Sequence, residues 1–368
     1  MRRSAAVTLA GFVALGLFWG AWAAVLPGVQ LATGASKGAL GVALLFVTVG
    51  SVPAMLLVAG PAIDRFGTRA VAVACAAFAV ATTLPGLATT LPALTLALVL
   101  TGAASGALDV GINARVSRLE QESGRRVMPA AHGLYSVGVL VGAVSAGLAR
   151  GAGIGREPVL IAVAIVIGAT AVAFGTEPRT AVAGPGPRLP RFERALVAIG
   201  LVGAAAFVVE GGTESWSALF LERQLHARPS VSGLGPGLFG AAMAAGRFAG
   251  QAAHRISDRT LFAAGAAVAA AGCALAAAAP NAPLALAGFA LAGAGISITA
   301  PVLFGAAGRV RHDAASAVAT ATTLGYLGLL VGPPLVGGVA QVAGLRTSFV
   351  VLACVAAAVA AAATRLRL

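Results

Sequence analysis

Charge is what this sequence has least of. Only 10% of its 368 residues are Asp, Glu, Lys or Arg, against roughly 25% in an ordinary soluble domain, which excludes a water-soluble globular protein. Acidic residues number 12, so any one of them inside an apolar run is informative. The 3 cysteines, Cys75, Cys273 and Cys354, sit in separate apolar runs without ligand-like spacing. They imply neither a disulfide framework nor a metal site. No phosphate-cradling glycine loop occurs, so ATP is not used and no cofactor is expected. The 4 histidines, His132, His226, His254 and His312, fall near predicted helix ends. With no nucleophile and base at reachable spacing, an enzyme is not expected. Aromatic residues make up 5%, little stacking surface for a broad drug pocket.

Apolar residues supply 59% of the chain. Twelve helices of about 20 residues would use roughly 240 positions and leave only short loops. Apolar runs between Gly, Pro and charge clusters place spans near residues 5–27, 38–60, 70–89, 92–116, 131–150 and 158–175. A second set falls near 195–221, 233–252, 260–279, 283–307, 315–342 and 347–364. The fold class is an all-α membrane protein with twelve transmembrane helices. The first run, with Arg2 and Arg3 ahead of it and Ala21, Trp22 and Ala23 at its end, also has the outline of a signal peptide. It reads more simply as a retained span, because similar runs continue along the whole chain.

A net charge of +13 would indicate nucleic acid in a soluble protein. Here the basic residues form short runs between apolar segments, so they are topology signals and the partner is the lipid bilayer, with no nucleic acid. With the N-terminus inside, nineteen of the 25 Lys and Arg residues fall on the cytoplasmic side; Lys37, Arg150, Arg156, Arg223, Arg228 and Arg346 fall on the other. The positive-inside rule then puts both termini in the cytoplasm and the chain in the inner membrane.

Residues 176–194, TEPRTAVAGPGPRLPRFER, are too rich in proline, glycine and arginine for a span and read as a cytoplasmic linker. They separate an N-terminal six-helix bundle, 1–175, from a C-terminal one, 195–368. A shift of 190 residues lays Gly60 on Gly250, Arg65 on Arg255 and Arg69 on Arg259. Two copies of a six-helix unit can rock about a shared centre and open it to one side and then the other.

Between the second and third spans lie Gly60, Asp64, Arg65, Gly67 and Arg69. The glycines permit a tight turn, and the aspartate can bond a helix N-terminus or an arginine, favouring one rocked state. This stretch resembles the cytoplasmic signature of the major facilitator superfamily, and the twelve-span layout around it extends the resemblance over essentially the whole chain. The resemblance implies a monomeric carrier of a small-molecule substrate and gives these five residues the part of a conformational latch. The second copy departs from the pattern, with His254 in the aspartate's place and Asp258 four positions late. Gly106 to Asn113 running on to Glu120, His132 to Ser136, Glu210-Gly211-Gly212 and Trp216 to Leu219 further resemble the branch of fucose-permease-like carriers and the rhizopine-cluster membrane protein. That resemblance implies sugar-like cargo.

Asp109 is the most informative single residue, since a carboxylate inside a span costs about 2.5 to 3.5 kcal/mol on insertion scales. Ser105, Asp109 and Asn113 recur every fourth position and form one polar stripe. Asp109 either binds substrate and exchanges a proton or makes a structural bond between helices. Glu210 and Glu214 share a face of the seventh span and form a second proton-coupling candidate, or else a solvated lip or gate. Glu214 is placed close to the outer interface. Trp19 and Trp22 offer flat faces to a sugar or a cation, and core packing suits them equally. Trp216 reads as part of an interfacial belt. His132, Tyr135, Ser136, Thr323 and Tyr326 can supply hydrogen bonds, with an interfacial role the simpler one for His132. Arg247 either snorkels or pairs with an acid. The glycines and prolines from Gly325 to Gly338 make the eleventh span bendable.

The expected function is secondary active transport of a small polar organic solute, sugar-like or a related metabolite, coupled to protons by alternating access. The alternative is a proton-driven efflux carrier for a drug or secondary metabolite.

Overall fold

In the computed structural model, which describes residues 2–124, 127–178, 193–252, 256–310 and 314–365, every regular element is helical among the described residues. His254, Arg255, His312, Arg125, Arg126 and linker residues 179–192 lie outside them.

The first half comprises α1 (Arg2–Thr33), α2 (Lys37–Pro53), a π-helical turn (Ala54–Ala59), α3 (Gly60–Phe66), α4 (Thr68–Leu87), α5 (Leu91–Ser123), α6 (Met128–Gly151) and α7 (Arg156–Gly175). The second comprises α8 (Arg194–Gln224), the short α9 (Pro229–Ser232), α10 (Leu234–Ala252), α11 (Asp258–Ala278), α12 (Ala282–Ile296), α13 (Thr299–Val310) and α14 (Ala314–Ala363). Ordinary caps open several of them. Thr90, Ser257 and Asn281 each accept a backbone N–H three residues on, at the starts of α5, α11 and α12. The π turn follows Pro53, whose missing N–H disturbs regular α-helical pairing.

Ten of these helices are long and apolar enough to cross a membrane among the described residues. The twelve spans follow from two corrections to that count. The 50-residue α14 would be about 75 Å long, far beyond a hydrocarbon layer of about 30 Å. It breaks at Gly344, where φ is 87° and ψ 162°, so it holds two spans. The 19-residue α10 is the remaining one. Span ends agree with hydropathy to within a few residues, except where helices overrun it: α5 continues seven residues past its apolar stretch to Ser123 and closes on Gly124 at φ 66°. The tenth span is divided at Ser297 and Ile298. The eleventh stays helical through Pro333 and Pro334.

The chain forms two compact units. One is Met1–Ser36 with Ala43–Pro187; the other is Lys37–Val42 with Arg188–Leu368. In the first, α1 packs on α6 at glycine distance. A Cβ added at Gly16 would come within 2.0 Å of Tyr135 O, and one at Gly142 within 2.1 Å of Leu17 O. Lipid offers no hydrophobic drive for such pairing, so close backbone approach supplies it. In the second unit α14 lies on α8 in the same manner, Gly328 against Ala204 O. That contact uses part of the glycine run of the eleventh span.

The connection from α5 to α6 is closed by Glu120, whose Oε1 accepts the backbone N–H groups of Val127 at 2.6 Å and Met128 at 2.9 Å. A carboxylate at a helix N-terminus satisfies donors that have no partner within the helix.

A candidate solute and proton site

In the first unit α5 carries the polar stripe. Asn113 donates through Nδ2 to both the backbone O and the Oδ1 of Asp109, each at 2.9 Å. The bond to Oδ1 is the only one the Asp109 carboxyl makes among the described residues, which leaves Oδ2 without a hydrogen-bond partner there. Ser105 does not join them. It is buried and its hydroxyl donates to Gly102 O at 3.1 Å, within its own helix. Ser136 likewise donates to His132 O.

The aromatic candidates divide by packing. Trp22 is buried and stacked with Phe18, ring centroids 6.5 Å apart. Trp19 is half-buried with its ring edge-on to Phe18 at 5.0 Å, so it keeps the freer face. His132 is exposed and stands edge-on to Phe12 of α1, at 5.4 Å. Tyr135 is half-buried on the same helix.

In the second unit Phe207, Glu210 and Glu214 follow one another along one face of α8. The ring of Tyr326 lies 6.5 Å from that of Phe207, while Thr323, one turn earlier on α14, is exposed. Arg247 of α10 approaches Glu210, with Nη2 3.9 Å from Oε1. Glu210 lies fourteen residues before the end of α8 and Arg247 thirteen after the start of α10. At 1.5 Å per residue each is about 20 Å from those adjoining ends, so the two are level. The arginine therefore pairs with an acid at membrane depth. Glu214 is about 15 Å from the end of α8, deeper than an interfacial position, because the helix continues through the buried Phe220 and Leu221 to Gln224. Trp216 is no interfacial belt residue. It is fully buried, and a Cβ at Gly337 would lie 3.0 Å from its Cζ2.

The glycine loop is held on the first unit by Ile63, buried against Ala59 with Ala70, Val110 and Ala114 around it. Gly67, at φ 58°, ends α3 and donates its N–H to Ile63 O at 2.8 Å. Asp64, Arg65 and Arg69 are exposed, and the Arg65 guanidinium lies 5.3 Å over the Phe66 ring. Asp64 holds no ion pair among the described residues. In the second copy, Asp258 pairs with Arg309 at 2.9 Å.

One cluster escaped the sequence. Arg115 and Glu177, each 4% exposed, form an ion pair. Arg115 also donates to Thr8 Oγ1 at 3.0 Å and Ser4 Oγ at 2.9 Å, and lies 5.3 Å over the Phe174 ring. Arg3 donates to Thr176 Oγ1, and Thr68 donates to Pro178 O. The start of the expected linker is thus bound to α1, α4 and α5. A lone glutamate directly after a span was the signal available.

A multi-span helical membrane protein with carboxylates at membrane depth in each of two units is the frame of a solute carrier. The chain belongs to the Major Facilitator Superfamily, whose family model matches residues 7–328. It is 32% identical to the membrane protein MosC of Rhizobium meliloti over 94% of this chain and 86% of that one. Among solved structures it resembles the nucleoside transporter NupG, with a TM-score of 0.80 and 15% identity over 98% of this chain and 99% of that one. It also resembles the fucose:proton symporter FucP of E. coli, with a TM-score of 0.63 and 15% identity over 99% and 98% of the two chains. These findings agree with the branch that the sequence resembles. The chain is a transporter of this superfamily and not an enzyme.

Proposed function

We propose that the protein is a proton-coupled secondary transporter of a small polar organic solute, sugar-like or a related metabolite, working by alternating access. The observation that carries this reading is Asp109, bonded inside a span to the neutral amide of Asn113 alone. Such a carboxyl can gain or lose a proton without separating an ion pair. The amide and carboxyl together offer the donor and acceptor set that a hydroxylated solute needs. Trp19 and Tyr135 in the first unit, and Glu210, Glu214 and Tyr326 in the second, are the further solute or proton groups assigned, each within its own unit. The five loop residues Gly60, Asp64, Arg65, Gly67 and Arg69 act as a latch on one rocked state. The carrier works as a monomer in the inner membrane with both termini in the cytoplasm, as the positive-inside rule requires.

Uptake into proteoliposomes from a panel of sugars, polyols and related metabolites, under an imposed pH gradient, tests this. Gradient-driven accumulation is expected for the wild type. Asp109→Asn should lose accumulation while still exchanging labelled for unlabelled solute. Full accumulation by Asp109→Asn would remove the residue as proton carrier.

A further inference from the structure

The pair in the second unit differs in kind from the one in the first. Asp109 has a neutral partner, whereas Glu210 faces a guanidinium. Arg247 is the only charged residue on α10, and its Nη2 stops 3.9 Å from Glu210 Oε1, beyond hydrogen-bond length. Among the described residues the guanidinium donates no hydrogen bond, although it carries five N–H groups in a planar fork. Arginine at membrane depth is costly and lines functional routes. Glu214, one turn from Glu210 on the same face, adds a second carboxyl near the pair.

The other charges on helices packed against α8 are engaged elsewhere. Arg309 of α13 pairs with Asp258 at 2.9 Å, and Arg346 of α14 donates to Ala277 O at 2.6 Å. The short α9 and α12 carry no charged residue. Arg247 is therefore the cation that answers Glu210 and Glu214 at this level among the described residues.

Resting on the carrier reading above, we infer that Arg247 is a solute-binding residue and that the solute carries a carboxylate, which displaces Glu210 from the guanidinium. A carboxylate matches the arginine fork with two parallel N–H···O bonds, a geometry that Glu210 does not reach. Charge balance completes the step. The solute brings one negative charge to Arg247, and the released Glu210 carboxylate takes up one proton. One anion and one proton then enter at this pair without net charge, and the proton carried by Asp109 adds one positive charge to the cycle.

The test uses the purified full-length protein and matched probes: gluconate, glucitol and glucamine, and the three-carbon set glycerate, glycerol and 3-amino-1,2-propanediol. Within each set only the terminal group changes, from carboxylate to hydroxymethyl to aminomethyl. A carboxylate is expected to raise the melting temperature where its neutral and amine counterparts do not. Arg247→Gln should remove that shift, and Arg247→Lys, which keeps charge without the fork, should restore part of it. Glu210→Gln leaves Arg247 in place and removes its competitor. It should tighten carboxylate binding roughly tenfold or more, where loss of a merely structural pair would weaken it. In proteoliposomes, carboxylate uptake should follow an imposed pH gradient and rise with an inside-negative potassium-diffusion potential, because Asp109 and Glu210 together bring two protons with one anion. The inference is overturned if no carboxylate shifts the melting temperature, or if Glu210→Gln weakens carboxylate binding. Proton-driven accumulation of only the neutral or amine probes would also overturn it, with the carrier reading still standing. Carboxylate binding that meets these expectations with no flux of any probe would fail the carrier reading and support the assignment to Arg247.

Discussion

Arg346 does in the second unit what Arg156 does in the first. Arg156 donates through Nη2 to Ala88 O at 3.3 Å, just past the end of α4, and Arg346 donates through Nη1 to Ala277 O at 2.6 Å, in the last turn of α11. The two arginines are 190 residues apart, the same offset that lays Gly60 on Gly250. Each places a cation where a helix presents carbonyls without intrahelical donors. The duplication thus persists as a repeated contact between the third and sixth spans of each half. Arg346→Ala should lower stability by about 1 to 3 kcal/mol, measured as a fall in the melting temperature in detergent. Arg346→Lys should recover part of the loss.

Arg115 and Glu177 make the opposite kind of contact, a buried ion pair with neighbours on α1 and α7. Removal of one partner leaves an uncompensated charge, so Arg115→Ala or Glu177→Ala alone should each cost about 3 to 5 kcal/mol. The apolar double variant Arg115→Met, Glu177→Leu should be milder than either single change. Thermal unfolding of the four proteins, taken as a double-mutant cycle, measures the coupling. A coupling near zero would show that the pair contributes nothing beyond its separate parts.

Gly142 stands where the backbone of α1 passes close to α6. A valine there would drive its Cβ to 2.1 Å from Leu17 O, and backbone cannot yield as a flexible side chain does. Gly142→Val should therefore cut the yield of folded, monodisperse protein severely on size-exclusion chromatography. Gly175→Ala should not, since nothing lies within 4 Å of its added Cβ.

Asn113 orients the carboxyl on which the transport reading depends. Asn113→Ala retains Asp109 but removes both bonds from the amide. We expect roughly tenfold weaker solute affinity, the loss of about one hydrogen bond to a charged group, with little change in melting temperature. Competition binding with the solute identified from uptake screening gives the measurement.

The spans were legible because lipid imposes a simple rule: about 20 apolar residues with internally paired backbone. Apolar runs between charge clusters therefore located α1, α2 and α4 through α8, but not the short α3 in the stretch read as a tight turn. The α5 stripe was legible in part. Helical spacing put Ser105, Asp109 and Asn113 on one face, but it cannot show that Ser105 bonds Gly102 O instead of its neighbours on the stripe. Arg247 was hidden for a different reason. Its helix position is plain, but whether its long side chain runs to the lipid surface or inward depends on which helix lies beside α10, information that no single-helix pattern contains. The ion pair of Glu177 was hidden because the surrounding prolines and glycines gave the whole stretch 176–194 a uniform loop character. The break between the last two expected spans, 315–342 and 347–364, was legible and falls at Gly344.

The carboxylate of Glu120 has a consequence for biogenesis. It satisfies the first donors of α6 from within the same helical hairpin. As the chain leaves the translocon, α5 and α6 can enter the bilayer as a pair whose shared turn is already neutral in hydrogen-bonding terms. A nascent chain lacking that acid would leave those amides to interfacial water.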